Sequence, residues 1–328
     1  GDAHNTAMRI GTETPRLPNE AGEVTEKGYP DGLNAQEAVK QLRDLKAKND
    51  PFFLALGFFK PHLPFNAPKK YWDLYDPNKI PVADNNFIPT DLNNIYSVNE
   101  SPEVTTHYPW PDGPGKVSEE SARKLKHGYY ASVSYIDAQI GIVMEELDRL
   151  DLAKNTIVVL WSDHGWHLGE HTMFGKMSNF EIATRSPLII SVPELKNSNH
   201  KMDQLVESID VYPTLAELCG FDYPDNLDGE SMVGLLKNPA KEGPDYARSF
   251  YYRNGALGKS IRTDRYRIVR WASELDSTLA VELYDHQIDP KENVNVAEKQ
   301  EWVRDSLLKQ LNTVRFMSEN MPFQKGWE

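Results

Sequence analysis

The sequence has a single cysteine, Cys219, in 328 residues, which excludes an intramolecular disulfide framework and any zinc cage built on cysteine. It also lacks a basic excess: 36 Lys and Arg stand against 49 Asp and Glu, a net charge of −13 with histidine neutral. An acidic chain with a pI near 5.2 does not suit a general nucleic-acid binder, which needs a basic surface against phosphate. No apolar run approaches the ~18 residues that a membrane-spanning helix requires. The opening Gly1-Asp2-Ala3-His4 shows no basic stretch and no apolar leader. Either the protein is not exported or the numbered chain is a mature or partial product. Hydrophobic residues make up 39% and aromatics 10%, enough to build a packed core and against wholesale disorder. At this length one large domain with a smaller one is expected.

Residues 1–33 are rich in Gly, Pro, Thr and Glu and read as irregular. Asn34-Ala35-Gln36-Glu37 has the pattern of a capping box, with Val39, Leu42 and Leu45 following at helical spacing. Pro51–Gly57 is a short apolar run bounded by Pro and Gly, the pattern of a buried strand. Asn66–Lys116 is long, rich in Pro, Asn and Asp and studded with aromatics, so it reads as a functional lip or a flexible segment. Ser118 is placed to cap a long helix with Tyr129, Val133, Ile136, Ile140, Val143 and Leu147 on its apolar stripe. Asn155–Trp161 and Pro187–Val192 read as two further buried strands. The composition break at Asn238–Pro244 divides an α/β domain, residues 1–243, from a smaller α+β domain, residues 244–328. Beyond the break, four short strands are expected at 249–252, 259–262, 266–271 and 282–284. A closing helix follows, with Trp302, Leu307, Leu311 and Val314 on one stripe.

Side chains just past the C-terminal end of a buried strand point into the ligand crevice of an α/β sheet. Asp163 and His164 occupy that position after the second strand, within Ser162-Asp163-His164-Gly165-Trp166-His167-Leu168-Gly169-Glu170-His171. A carboxylate and an imidazole there can both reach a cation; the competing reading is a turn-capping Asp beside a hydrogen-bonded surface His. Lys60-Pro61-His62 sits just past the first apolar run and can bind an anion and protonate a leaving oxygen. Lys176, five residues beyond His171, is by itself a solvated charge. Two strand-end groups with a metal-type pair, a histidine and lysines suit a doubly charged ester such as sulfate or phosphate.

These residues carry a resemblance. Asp163-His164-Gly165-Trp166, Leu168-Gly169-Glu170-His171 and Lys176 resemble the metal and anion segment of type I sulfatases of the alkaline-phosphatase superfamily, closest to the iduronate-2-sulfatase branch. Pro51–Gly57 with Lys60-Pro61-His62-Leu63-Pro64-Phe65 is similar to that branch's strand and sulfate-binding histidine. Tyr129–Asp137, Ala183–Ile189, Tyr212–Leu215, Leu227–Gly229, Ser260–Arg267 and Glu282–Asp285 with Asp289-Pro290 fit further sulfatase segments. The resemblance implies an α/β, alkaline-phosphatase-like core, a mixed sheet between helices, with a smaller C-terminal antiparallel-sheet domain. It implies an exported enzyme, periplasmic, extracellular or lysosomal, that cleaves sulfate esters on a sulfated oligosaccharide or polysaccharide.

By the same resemblance, Asp163 and His164 supply part of a Ca²⁺ site, with Mg²⁺ or Mn²⁺ as alternatives, and His62 and Lys176 contact the sulfate as catalytic groups. Lys60, Trp166, His167, Glu170, His171 and Arg262 are expected at the substrate. A packed turn is the competing reading for Trp166, His167, Glu170 and His171, as a solvated strand face is for Arg262 and Arg267. The family's Cys/Ser-x-Pro-x-Arg motif, whose first residue becomes the formylglycine nucleophile, is not in this sequence. Cys219 is followed by Gly-Phe-Asp, and Ser191-Val192-Pro193 lacks the Arg. The family's early aspartate pair and early Lys/His pair are absent too. An N-terminal portion of the same protein, as a separate chain or another segment, is therefore the expected partner. The rival readings are a phosphodiesterase or phosphonate hydrolase of the same superfamily, and a non-catalytic module that binds sulfated glycans.

Overall fold

The computed structural model describes residues 17–193, 195 and 199–315. Of the irregular stretch expected over 1–33, residues 1–16 lie outside the described residues. The chain begins with β1 (Asn19–Gly22), α1 (Pro30–Lys48), β2 (Phe65–Pro68), α2 (Lys69–Trp72), α3 (Pro102–Thr105) and α4 (Glu119–Arg149). It continues with β3 (Val158–Trp161), β4 (His167–Leu168), β5 (Phe174–Gly175), α5 (Glu181–Thr184), β6 (Leu188–Ser191), α6 (Val211–Leu218) and α7 (Val233–Lys237). It ends with β7 (Ala247–Arg253), β8 (Ala256–Arg262), β9 (Tyr266–Ser273), β10 (Thr278–Asp285) and α8 (Glu301–Thr313). Two compact units result. The first holds the described residues through Asp84, Glu100–Val158 and Leu168–Gly175; the second holds Asn85–Asn99, Val159–His167 and the described residues from Lys176 onward.

In the first unit α1 starts four residues before the expected capping box. Pro30 occupies its first turn, where a missing N–H costs nothing, so Asn34 lies inside the helix and donates to Gly57 O at 3.1 Å instead. Ala35, Ala38, Val39 and Leu42 form its buried stripe. Ser118 caps α4 as expected, accepting from Ser121 N at 3.2 Å. The buried face of α4 is Leu125, Gly128, Ala131, Ser132, Tyr135 and Gln139, while Val133 is exposed. Small residues set that face: a Cβ on Gly128 would lie 2.8 Å from the Trp72 ring and 2.9 Å from Phe65. Tyr29, Ala67, Tyr71, Trp72, Ala131 and Tyr135 close one core around this approach. Leu42, Leu147 and Leu152 close a second; each fully buried leucine contributes roughly 1.5–3 kcal/mol. β1 and β2 pair in parallel, Asn19 opposite Phe65. Residues 51–57 are not the buried strand expected of them. They carry no strand assignment, alternate positions face outward, and Phe53 is 83% exposed. Phe52 and Leu54 pack against the Leu42–Leu147 cluster.

In the second unit β3 pairs with β6. Both are half-buried rather than buried: Trp161 is exposed at the end of β3, and Ile189 and Ser191 are exposed at alternate positions of β6. The four strands after residue 244 form one antiparallel sheet, ordered β10-β9-β8-β7. Ile261, Ile268 and Leu283 point from it into a core closed by Leu311, Val314 and Leu307. Trp302 is not on that stripe; nine residues from Leu311 it lies on the far side of α8 and is 82% exposed. Arg267 is not a solvated strand residue either. It is buried, donating to Glu292 Oε1 at 2.7 Å and to Glu181 and Thr184.

Candidate active site

In the first unit the Lys60–Pro64 turn is held from within. Asp31, in the first turn of α1, accepts from Phe59 N at 2.7 Å and Lys60 N at 3.0 Å. Burial raises the Asp31 carboxyl above its ordinary range, and these two N–H bonds work against that rise. The Lys60 ammonium turns inward, donating to His62 O at 3.0 Å and Pro64 O at 2.7 Å. Burial pushes it down to about 7 against the pull of Asp31. Lys60 is 7% exposed, so its expected place at the substrate is corrected: its donors are spent on the fold. His62 remains accessible, its side chain 37% exposed. Its Nδ1 lies 2.7 Å from Leu63 O and its Nε2 3.3 Å from Glu103 Oε1. Both neighbours are acceptors, so the ring donates to both only in its protonated form.

In the second unit the Ser162–Gly165 turn follows β3. Ser162 Oγ donates to His164 O at 2.9 Å, and His164 N donates to Asp163 Oδ1 at 3.0 Å. The Asp163 side chain is 76% exposed. His164 Nδ1 lies 2.8 Å from Gly165 O, and a hydrogen on that nitrogen would leave Nε2 available as a metal ligand. Nε2 is 3.5 Å from Asp163 Oδ2, so the two donors converge. Gly165 is required by contact: its N–H reaches Ala183 O at 2.8 Å, and a Cβ would lie 2.0 Å from Ile182 O. Trp166 is buried, its ring centroid 6.4 Å from that of His164, with the Lys176 ammonium 4.8 Å from the indole centroid. The unit thus brings Asp163, His164, Trp166 and Lys176 into one cluster.

The other expected contacts fall inside the fold. His167 is fully buried, with Nε2 2.9 Å from Ser178 Oγ and its ring against Phe180. His171 is 2% exposed. For these two the packed turn replaces the substrate contact, because neither ring reaches the surface. Glu170 accepts from Leu168 N at 2.6 Å and braces the turn in which Gly169 takes a φ of +110°. Arg262 is half-buried, its Nε 3.3 Å from Glu181 Oε2, and lines a cavity of about 450 Å³ with Arg185, Arg265 and His286. Sequence reasoning missed Asp31 and Glu103. Asp31 follows Pro30 at a helix start, a position where a carboxylate collects N–H groups, and that signal was available.

Among the described residues no group of three or more His, Cys, Asp or Glu side chains could hold a metal ion. Asp163 and His164 offer one carboxylate and one imidazole nitrogen. That donor set fits two ligands of an open site and falls short of the six to eight oxygens Ca²⁺ takes.

Residues 4–221 match the sulfatase family, and residues 169–317 match the family described as N-sulphoglucosamine sulphohydrolase, C-terminal. The chain is 36% identical to mouse (Mus musculus) iduronate 2-sulfatase over 85% of its own length and 64% of that protein. It is 33% identical to the human (Homo sapiens) iduronate 2-sulfatase over 72% of its length and 48% of that protein. The chain thus spans about half to two thirds of the curated relatives it matches. Among solved structures, the phosphonate monoester hydrolase of Agrobacterium radiobacter superposes with a TM-score of 0.76 at 22% identity, covering 92% of this chain and 63% of that one. The fold is therefore alkaline-phosphatase-like. The chain belongs to the sulfatase family, close to its iduronate 2-sulfatase branch.

Proposed function

We propose that this protein hydrolyses sulfate esters on sulfated glycans, acting from a chain end on a 2-O-sulfated uronic acid. The observation that carries the reading is the Asp163–His164–Trp166–Lys176 cluster, a convergent carboxylate and imidazole beside an aromatic-backed ammonium. His62, turned outward on its braced loop, is the second contribution; the family pattern assigns both to one reaction. His62 and Lys176 donate to sulfate oxygens, spreading the charge that builds as the S–O ester bond breaks, and one of them passes a proton to the leaving alcohol. Asp163 and His164 Nε2 would be two ligands of a divalent cation, Ca²⁺ by this reading and Mg²⁺ or Mn²⁺ otherwise. Such a cation supplies Lewis-acid neutralisation of a sulfate oxygen. The nucleophile, a formylglycine, belongs to a segment outside this sequence, because no Cys/Ser-x-Pro-x-Arg occurs within it.

Trp166, beside the Lys176 ammonium, is kept as a candidate neighbour of the sugar, and Arg262 as a candidate for an anionic sugar substituent. Residues 244–328 are read as the family's small C-terminal subdomain. No helix among the described residues is long and apolar enough to cross a membrane. Export to the periplasm, lysosome or exterior follows from the proposed substrate, since polymeric sulfated glycans do not cross membranes. The test is sulfate release by the complete enzyme from defined oligosaccharides ending in 2-O-sulfated uronate or 6-O-sulfated hexosamine, with phosphodiester and phosphonate analogues alongside. Preference for the uronate supports the reading. Equal rates on both sugars remove the uronate, faster turnover of the phosphorus esters removes the sulfatase, and no turnover of any ester leaves a binding module.

A further inference from the structure

An ammonium buried to 7% exposure is costly unless its hydrogens are taken up. Lys60 places two of its three on the carbonyls of His62 and Pro64, at 3.0 and 2.7 Å, within its own turn, with the Phe59 ring centroid 5.0 Å from the ammonium. Its backbone N–H and that of Phe59 are held by Asp31 of α1. The turn is therefore pinned at its entry by a carboxylate and across its interior by an ammonium. His62 has its N–H on Phe59 O at 3.1 Å and its Nδ1 against Leu63 O at 2.7 Å, so the ring takes its direction from the same backbone.

We propose that Lys60 is a positioning residue for His62: by bonding the His62 and Pro64 carbonyls from inside, its ammonium sets the direction in which the imidazole leaves the turn. This rests on the reading of His62 as a sulfate contact, and it replaces Lys60's own expected contact with substrate. The ionised groups around it are Asp31 from α1, whose charge also reaches Tyr135 of α4, and Glu103 on the far side of the His62 ring. Near pH 7 the ammonium is close to losing its proton. The amine that remains can still donate to both carbonyls, so the contact persists through that change.

The test follows the His62 ring by NMR in the full chain carrying ¹³C-labelled histidine, comparing wild type with Lys60→Met. His164 serves as the internal reference, because its ring is held by Gly165 O. The expected result is a shifted or broadened His62 signal with His164 unmoved, and, in the complete enzyme, kcat lower by about 10²-fold with KM within about twofold. Lys60→Arg, which keeps donors for both carbonyls, should restore part of the kcat. An unmoved His62 signal overturns the proposal, whether or not turnover falls. Should Lys60→Met fail to fold, the wild type decides: nuclear Overhauser contacts from the Lys60 ammonium hydrogens to His62 and Pro64 sustain it, and their absence from a resolved ammonium signal overturns it. A moved His62 ring in a protein that cleaves no sulfate ester would remove the sulfatase reading and leave the positioning role intact.

Discussion

At the Lys60–Pro64 turn the charged groups face inward, Asp31 on two backbone N–H groups and Lys60 on two carbonyls, so that His62 alone is presented. At the Ser162–Gly165 turn the charged group faces out. Among the described residues Asp163 is bonded only within its own turn, whose frame is held by Ser162 Oγ on His164 O and Gly165 N on Ala183 O. The first arrangement fixes one side chain without help. The second leaves two converging donors with unused capacity, which suits a ligand that arrives from solution. A histidine can thus be held by charge buried beneath it, whereas the proposed cation ligands keep their charge uncovered.

The largest expected effect that separates the two turns is Asp163→Ala. Cation-supported turnover of the complete enzyme should fall by about 10³-fold or more, while unfolding free energy stays within about 0.5 kcal/mol, since the side chain is mostly exposed. A loss of stability matching the loss of activity would make Asp163 a structural residue like Asp31. Gly165→Ala should come next. The added Cβ meets the Ile182 carbonyl, and denaturant unfolding should report a loss of about 1–3 kcal/mol. Asp31→Ala should cost about 1–3 kcal/mol by the same measurement, because two N–H groups lose their acceptor. It should also raise amide exchange at Phe59 and Lys60 without changing exchange at Gly165.

A further separating effect is a pH dependence. Folded Lys60 sheds its proton near 7, and the unfolded chain holds it to the ordinary 10.5. The unfolded state therefore binds more protons between those values, so the stability of wild type relative to Lys60→Met should rise with pH above about 7. A flat or falling difference from urea titrations across that window would mean that the ammonium is not desolvated.

The turns differed in how far the sequence revealed them. Asp163 and His164 were legible because a strand pattern ends just before them, and Lys176 because the family motif reaches it. The four C-terminal strands were legible as short strand-like stretches after the composition break, and each finds a partner within the chain: Ile261 opposite Ile268, Ile268 opposite Leu283. Residues 51–57 have as strong an apolar pattern, yet Phe53 faces solvent. Local pattern marks an extended segment, and burial depends on what covers it. The inward roles of Lys60, His167 and His171 were hidden for a related reason. A polar side chain beside a candidate site reads as a contact until its hydrogen bonds are seen, and Lys60 spends its donors on carbonyls that no residue pattern announces. Of the expected α4 stripe, Val143 and Leu147 do join a core, but Val133 is exposed, because the small Gly128 and Ala131 lie where the helix approaches its neighbours.

The most direct measurement is sulfate release from a 2-O-sulfated uronate disaccharide by the complete enzyme after chelation and stepwise return of Ca²⁺, in wild type and in Asp163→Ala. The predicted result is a chelated wild type without turnover, restored by the cation, beside a variant that stays inactive at every concentration tested. Full turnover in the chelated wild type, or equal recovery in the variant, would contradict the assignment of Asp163 and His164 to a cation that serves sulfate ester cleavage.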